Sequence, residues 1–429
     1  MITFCASGDF LIHIPVPENH AGKAALAREI RKADVGFTNL ETTVTEYDCY
    51  ASSFSGGTPM TAHPSLLQEV KDFGFQVCGC ANNHSMDFSF NGLLSTMRHL
   101  DAAGLKRAGI GSSLEEASAP ATVETPNGKV AFFAQTAVYY GNDSGRAGYG
   151  HDGILPRPGV NGLRHIDESL VTREQMDYLK QLAKDTMVNA EAELSAAYGY
   201  ASADDGTFSF GREKFRVAEK TGKFSRCNEN DMQRTENAIR QARKTHDYVI
   251  CSLHSHQYPA RDEREVDYYV EEFCRRCIDA GADAVIGTGT HQLKAIEIYK
   301  DRPIFYCLGN FFFHPEYVKK ISADVIEGFG FPLELSGEEV VRRRKARATA
   351  AMEHSIPVYQ SMIPFWTMED GKLTAIRLLP VELGIHEPYG LRGFPSPAKP
   401  ESILAHLEHV CKPYGTKLKI NGDYIEVVL

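Results

Sequence analysis

The chain reads as an α/β protein built of layered sheets and helices, and three observations predict this. Short apolar runs alternate with helix-forming stretches along most of its 429 residues. Most runs are apolar at successive positions rather than at every second one, as in parallel strands buried on both faces. Each run also ends in small polar residues that carry a His, Asp, Asn or Glu. Loops leaving the carboxyl ends of such strands converge on one edge, where ligands bind.

Residues 2–6 (ITFCA) are the first buried strand and lead into Ser7-Gly8-Asp9. Residues 19–31, rich in Ala, Leu, Lys and Glu, predict a helix. Residues 35–40 are the second strand, ending in Asn39-Leu40-Glu41. The stretch 42–64 is a Ser-, Thr- and Gly-rich loop, and loops of that length are usually functional or mobile. A helix over 65–73 stops at Gly74, and a strand over 76–80 runs into Asn82-Asn83-His84. A helix over 92–103, ended by Gly104, precedes short strands at 106–111 and 130–135.

From about residue 141 the alternation breaks. Residues 141–161 are rich in Gly and Pro, 172–197 predict a helix or helix pair, and 198–214 are polar and aromatic. Regular alternation resumes with a helix over 230–244 and a strand over 248–253 that enters His254-Ser255-His256. A helix over 266–280, ended by Gly281, and a strand over 284–286 follow; the strand enters Gly287-Thr288-Gly289-Thr290-His291. Turns at Lys300-Asp301-Arg302, Asp370-Gly371 and Asn421-Gly422 predict hairpins, with a helix over 402–411. The expected organisation is a core of residues 1–140 and 229–385. A helical and loop lid is inserted at 141–228, and a helix–hairpin extension at 386–429 packs on the core.

Hydrophobic content of 43% and charged content of 24% are those of a globular protein in water. The formal charge of −10 argues against nucleic acid as a partner. No stretch approaches the ~20 apolar residues of a membrane span, and Met1 leads straight into the first strand. A cytoplasmic protein with no membrane partner is expected, and homo-oligomerisation is left open. The ten cysteines lie mostly inside apolar runs, as reduced buried thiols do. Cys274 and Cys277 form a C-x-x-C with no second pair at zinc-site spacing. The basic run Arg342-Arg343-Arg344-Lys345 with Arg347 reads as a solvated helix face partnered by Glu338 and Glu339, or else as a clamp for an acidic substrate.

Taken singly, Asp9 suits a turn or cap, Glu41 a solvent-facing strand end, and each histidine a satisfied structural group. Their joint placement after successive strands points instead to one shared site. Asp9, Glu41, Asn83, His254 and His291 are donors of the kind that hold divalent cations. An asparagine amide oxygen is a hard neutral ligand, and the imidazole of His84 beside it can carry a proton. His254 and His256, one residue apart, share a face of a strand or chelate from a turn.

These residues also carry a family likeness. The order Gly8-Asp9, Asn39-Leu40-Glu41, Ala81-Asn82-Asn83-His84-Ser85-Met86-Asp87, Ala108-Gly109-Ile110-Gly111, Ser252-Leu253-His254, Thr290-His291 and Leu308-Gly309-Asn310-Phe311 resembles the CapA (PGA_cap) family of capsule and poly-γ-glutamate synthesis. The likeness runs from residue 1 to about residue 380. It implies a calcineurin-like, metallophosphoesterase-type fold: a four-layer α/β/β/α sandwich with a dinuclear metal centre at the strand ends. By position it implies Asp9, Glu41, Asn83, His254 and His291 as metal ligands, with Glu41 able to bridge. His84 becomes a proton donor or oxyanion partner, and Asp87 would orient it. His256 and His13 are further ligand candidates, and His13, Arg157 and Asn310 are expected to face substrate.

The chain departs from the family pattern in three ways. Thr288 and Gly289 stand where histidine is usual, and His256, after Ser255 in place of tryptophan, stands where glycine is usual. The usual membrane anchor or signal is not expected from this sequence. The implied reaction is hydrolysis by a metal-bound hydroxide, with two ions of Mn, Fe or Zn. The substrate would be an amide or isopeptide of γ-glutamyl type, another acidic small molecule or a short acidic peptide. A phosphoesterase and a non-catalytic capsule-synthesis factor are the alternatives.

Overall fold

The computed structural model describes residues 1–53, 55–139, 145–200, 206–259, 262–347 and 356–429. The architecture is mixed α/β with several sheets, of which two, of ten and six strands, are large. Ile2–Leu11 lies inside the larger sheet. Val35–Asn39, Val77–Gly79 and Lys106–Ala108 continue the sheet in parallel on one side of it. On the other side Gln360–Glu369 and Lys372–Glu382 run antiparallel. The smaller sheet places Gly128–Thr136, Tyr248–His254, Ala284–Thr288 and Arg302–Phe305 side by side and parallel.

Aromatic rings join the two sheets. Phe37 stacks on Phe132 at 5.9 Å, Phe4 meets Tyr248 edge-on at 5.6 Å, and Phe305 lies 5.5 Å from Trp366. Such pairs add about 0.5–1.5 kcal/mol each beyond the area they bury. Helices Ala21–Ile30 and Ser89–Ala103 follow strands of the larger sheet, Leu67–Phe73 precedes one, and Glu229–Ala242 and Tyr268–Ala280 pack on each other beside the smaller one. The glycines expected to stop helices do so: Gly74, Gly104 and Gly281 all adopt the left-handed conformation at C-terminal caps.

Parallel pairing in both sheets sets the site. Asp9 is in register with Asn39, and His254 with Thr288, so four chain segments deliver polar residues at matching strand ends. The first strand runs on to Leu11, beyond the end expected at residue 6, because Asn310–Phe313 pairs with its second half. The register shifts on both sides of Asp9, and such bulges re-aim a side chain. Gly8 makes the close pairing possible, since a Cβ there would sit 1.8 Å from the Gly309 carbonyl oxygen.

The inserted segment differs from the expected helical and loop lid. It carries helices Arg173–Thr186 and Ala190–Ser195, but also a four-stranded sheet of Phe208–Phe210, Glu213–Val217, His165–Val171 and Gly222–Cys227. The strand His165–Val171 has sequence HIDESLV and a mostly half-buried pattern, so no apolar run announces it. This sheet docks on helix Tyr268–Ala280: His165 stacks on Tyr269 at 4.4 Å, and the Cys227 amide donates to Glu272 at 2.9 Å. Residues 141–144 and 201–205 of the expected lid lie outside the described residues. The C-terminal hairpin, Lys417–Asn421 and Tyr424–Val428, extends the larger sheet through Lys372–Glu382.

All ten cysteines are free thiols, and every one but Cys49 is buried, as reduced core residues are. Among the described residues no helix is long and apolar enough to cross a membrane. Arg342 and Arg343 both pair with Glu339, on the helix Gly337–Arg347, which fits the solvated-face reading of the basic run.

Candidate metal centre

Asp9 is fully buried at the bulge of the first strand. Its Oδ1 accepts a hydrogen bond from Asn39 Nδ2 at 2.8 Å, and its Oδ2 one from the Gly289 amide at 3.0 Å. Glu41, one loop beyond Asn39, is also fully buried, and neither carboxylate oxygen has a hydrogen-bond partner. Two imidazole nitrogens lie near its Oε1: His254 Nε2 at 3.7 Å and His84 Nε2 at 3.9 Å. Burial, and then the neighbouring Asp9 carboxylate, push the Glu41 carboxyl well above its ordinary pKa.

The histidines converge from two loops. His254 Nε2 lies 2.8 Å from Asn83 Oδ1 and 3.2 Å from His256 Nε2. Its Nδ1 lies 3.0 Å from Thr288 Oγ1 and 3.2 Å from Asn39 Nδ2. A proton on Nδ1, donated to Thr288, leaves an Nε2 lone pair directed at Asn83, His256 and Glu41. Burial holds His254 and His256 well below the ordinary imidazole pKa, reinforced for His254 by His291 and for His256 by His254. Both are therefore neutral and able to ligate. His291 sits in a left-handed turn at φ 58°. Burial works against its charged form, but Asp9 Oδ2 at 3.4 Å and Asn310 Oδ1 at 2.8 Å outweigh this and raise its pKa.

Two overlapping donor triads result: Asp9 with Glu41 and His254, and Glu41 with His256 and His291. Within each, one ligand atom per residue lies within 4.8 Å of the others. Glu41 belongs to both. Acceptors this crowded, with no donor among them for Glu41, fit a cation better than they fit one another.

His84 and Asp87 form a dyad beside the triads. His84 Nδ1 meets Asp87 Oδ2 at 2.6 Å, and the Met60 amide donates to that same oxygen at 2.7 Å. The imidazole is thus held from behind, with Nε2 toward Glu41. The long loop after Glu41 contributes through its backbone. Gly56 carbonyl accepts from Asn83 Nδ2 at 3.3 Å, which turns the Asn83 oxygen to His254. A Cβ at Gly56 would lie 2.3 Å from Asn83 Nδ2.

Of the three residues expected to face substrate, Asn310 is placed otherwise. Asn310 is fully buried, with its oxygen on His291 and its nitrogen on the Val358 carbonyl, so it positions the histidine. Arg157 lies on an exposed stretch, where its Nε donates to the Arg146 carbonyl at 3.0 Å. His13 Nε2 faces the Met60 sulfur at 3.1 Å; burial, then His84, push its pKa down to about 3. The partners that the sequence left without a role are Asn39, Thr288 and Gly289. Gly289 has φ +108°, and a Cβ there would lie 2.5 Å from the Ser255 carbonyl oxygen, so the backbone itself requires glycine.

Fold and site together define an α/β protein with a buried carboxylate, amide and imidazole cluster suited to divalent cations. The description "Bacterial capsule synthesis protein PGA_cap" matches residues 3–315, and the chain belongs to that family. An uncharacterized protein of Sinorhizobium fredii is 29% identical over 97% of this chain and 91% of its own length. A Mycobacterium tuberculosis protein described as "Probable polyglutamine synthesis accessory protein" is 25% identical over 69% of this chain and 61% of its own. The "PGA biosynthesis protein CapA" of Bacillus subtilis is 30% identical over 32% of this chain and 37% of its own.

Proposed function

We propose that this protein is a divalent-metal-dependent hydrolase with the four-layer sandwich of the metallophosphoesterases. In this reading it cleaves an amide or isopeptide bond of γ-glutamyl type. The observation that carries the reading is Glu41: a fully buried carboxylate with both oxygens unpartnered, beside the neutral imidazole of His254. Asp9, Glu41, Asn83, His254, His256 and His291 would hold the ions, and their oxygen and nitrogen donors suit Mn, Fe or Zn. Ions bound there would supply an activated water and polarise the scissile carbonyl.

The remaining residues do ordinary acid–base and positioning work. His84, oriented by Asp87, delivers a proton to the leaving nitrogen. Asn39, Thr288 and the Gly289 amide fix Asp9 and His254. Asn310 fixes His291. A second reading, a non-catalytic factor in capsule polymer synthesis, draws on Thr288 and Gly289, which stand at positions where the family usually has histidine. The test is metal analysis after reconstitution, followed by turnover of γ-glutamyl amides against p-nitrophenyl phosphate. About two equivalents of metal and amide turnover support the hydrolase. Phosphate release alone transfers the reading to a phosphoesterase, and a metal-free, inert chain transfers it to the non-catalytic factor.

A further inference from the structure

The inserted sheet reaches toward the candidate centre through one side chain. Tyr269, the second residue of helix Tyr268–Ala280, is fully buried. The strand Gly222–Cys227 holds its backbone on both sides. The Tyr269 amide donates to Ser225 Oγ at 3.1 Å, and the Cys227 thiol donates to the Tyr269 carbonyl at 3.2 Å. An amide in the first turn of a helix has no partner within the helix, and Ser225 supplies one. His165, from the same sheet, covers the ring at 4.4 Å and nearly parallel to it. Backbone and ring are thus both gripped by the insertion, which aims the hydroxyl.

That hydroxyl donates to Gln257 Oε1 at 2.6 Å, and the same oxygen accepts from the His256 amide at 3.0 Å. A backbone N–H can only donate, so it is the oxygen of the Gln257 amide that stands between the two donors. The peptide from which the His256 side chain springs is therefore tied, through two hydrogen bonds, to the ring that the insertion holds. Gly289 bounds His256 on another side. A Cβ there would lie 3.0 Å from His256 Cδ2, so the imidazole takes the room that a side chain at 289 would need. Held in this way, its Nε2 lies 3.2 Å from His254 Nε2 and its ring centre 5.5 Å from that of His291. Tyr269 and Gln257 belong to neither donor triad; they place a member of the one made by Glu41, His256 and His291. Removing an outer partner that orients a ligand typically costs about 10–100-fold in metal affinity.

We propose that Tyr269 and Gln257 are positioning residues for His256, and that through them the inserted sheet sets the affinity of the ion held by Glu41, His256 and His291. The inference rests on the metal-binding reading of that triad. The experiment uses the full chain, stripped with EDTA, dialysed and titrated with Mn by calorimetry. Tyr269→Phe and Gln257→Met should each weaken that ion by about 10–100-fold and leave the ion on Asp9, Glu41 and His254 within about twofold of the wild type. Gln257→Glu keeps an acceptor for both donors and should stay within about threefold of the wild type. His165→Ala, which uncovers the Tyr269 ring, should weaken the same ion by a smaller factor. Equal loss at both ions is what general loosening of the structure would give, and it overturns the proposal; so does wild-type binding by Gln257→Met. An ion indifferent to His165→Ala overturns the part assigned to the sheet. Hydrogen exchange of residues 255–258, read in EDTA, separates the proposal from the metal reading. The His256 amide should exchange about tenfold faster in Tyr269→Phe and Gln257→Met, the factor for one lost hydrogen bond, and at the wild-type rate in Gln257→Glu. If the wild type binds no Mn and this pattern still holds, the metal reading fails and the tie between the insertion and His256 stands. Unchanged exchange in every variant overturns that tie, whatever the metal does.

Discussion

A carboxylate with no donor and no solvent is expensive to keep ionised, by several kcal/mol even after relaxation. Glu41 meets that description, and Asp9 beside it adds repulsion. In metal-free protein Glu41 therefore binds its proton more tightly than in the unfolded chain. With a raised folded pKa, the folded state loses stability as pH climbs from the ordinary carboxylate range toward the folded value. Glu41→Gln should remove that loss. In EDTA the variant should melt higher than the wild type by about 1–3 kcal/mol in stability at neutral pH, with the gap closing near pH 4. The same variant should bind no more than one metal equivalent, because Glu41 belongs to both triads. A less stable apo variant would show that Glu41 has a donor. His84 should behave in the opposite way. His84→Ala should lower turnover by about 10²–10⁴-fold and leave metal content near that of the wild type. Loss of metal would make His84 a ligand. The convergence of Asp9, Glu41, Asn83, His254 and His291 was legible because each lies within a few residues of the end of an apolar run. The partner of Asn310 was not legible because sequence order cannot show which neighbour a polar side chain faces.

At the scale of elements, the entry of the insertion is tied down by one buried acid. Asp231, on helix Glu229–Ala242, is fully buried and takes Arg146 at 2.8 Å, Arg164 at 2.9 Å and Arg234 at 2.6 Å. Two of these arginines come from the inserted segment, so the hub fastens the insertion to a core helix. Burial opposes the Asp231 charge, but the arginines outweigh it and depress its pKa. The stability it contributes is present above the unfolded value and lost as pH falls through the folded one. Asp231→Asn should cost about 3 kcal/mol at pH 7, since it leaves three half-buried guanidinium groups without their acid. Denaturant unfolding from pH 7 downward should show that difference holding to about pH 4 and narrowing below it. A constant difference at all pH values would mean packing, not charge, is what the substitution disturbs. The insertion's sheet escaped sequence reading for the same reason that it needs such a fastening: His165–Val171 has few apolar residues, so docking contacts rather than a core hold it.

At the scale of the molecule, the alternation of strand and helix was legible because buried parallel strands are continuous apolar runs. The junction of the two sheets was not, because it depends on aromatic pairs such as Phe37 with Phe132 that are 95 residues apart in sequence. That junction gives metal an unusual lever on stability. Asp9 and Glu41 leave strands of the larger sheet, while His254, His256 and His291 leave strands of the smaller one. An ion bound by either triad therefore links both sheets across their shared edge, and no such linkage exists in an unfolded chain with these donors hundreds of residues apart. Ligand that binds only the folded state adds about 2.7 kcal/mol at a hundredfold excess over Kd. For 429 residues at about 2.1 cal/mol/K each, that is a rise in melting temperature of about 3 °C. Mn, Fe or Zn should produce the rise and EDTA should reverse it. Asp9→Ala and His291→Ala should each reduce it, because they cut opposite anchors of the link. Magnesium at equal concentration should do less, since imidazole donors suit it poorly. A melting temperature indifferent to all of these ions would mean that the sheets meet through their aromatic core alone, and that the converging side chains bind no cation.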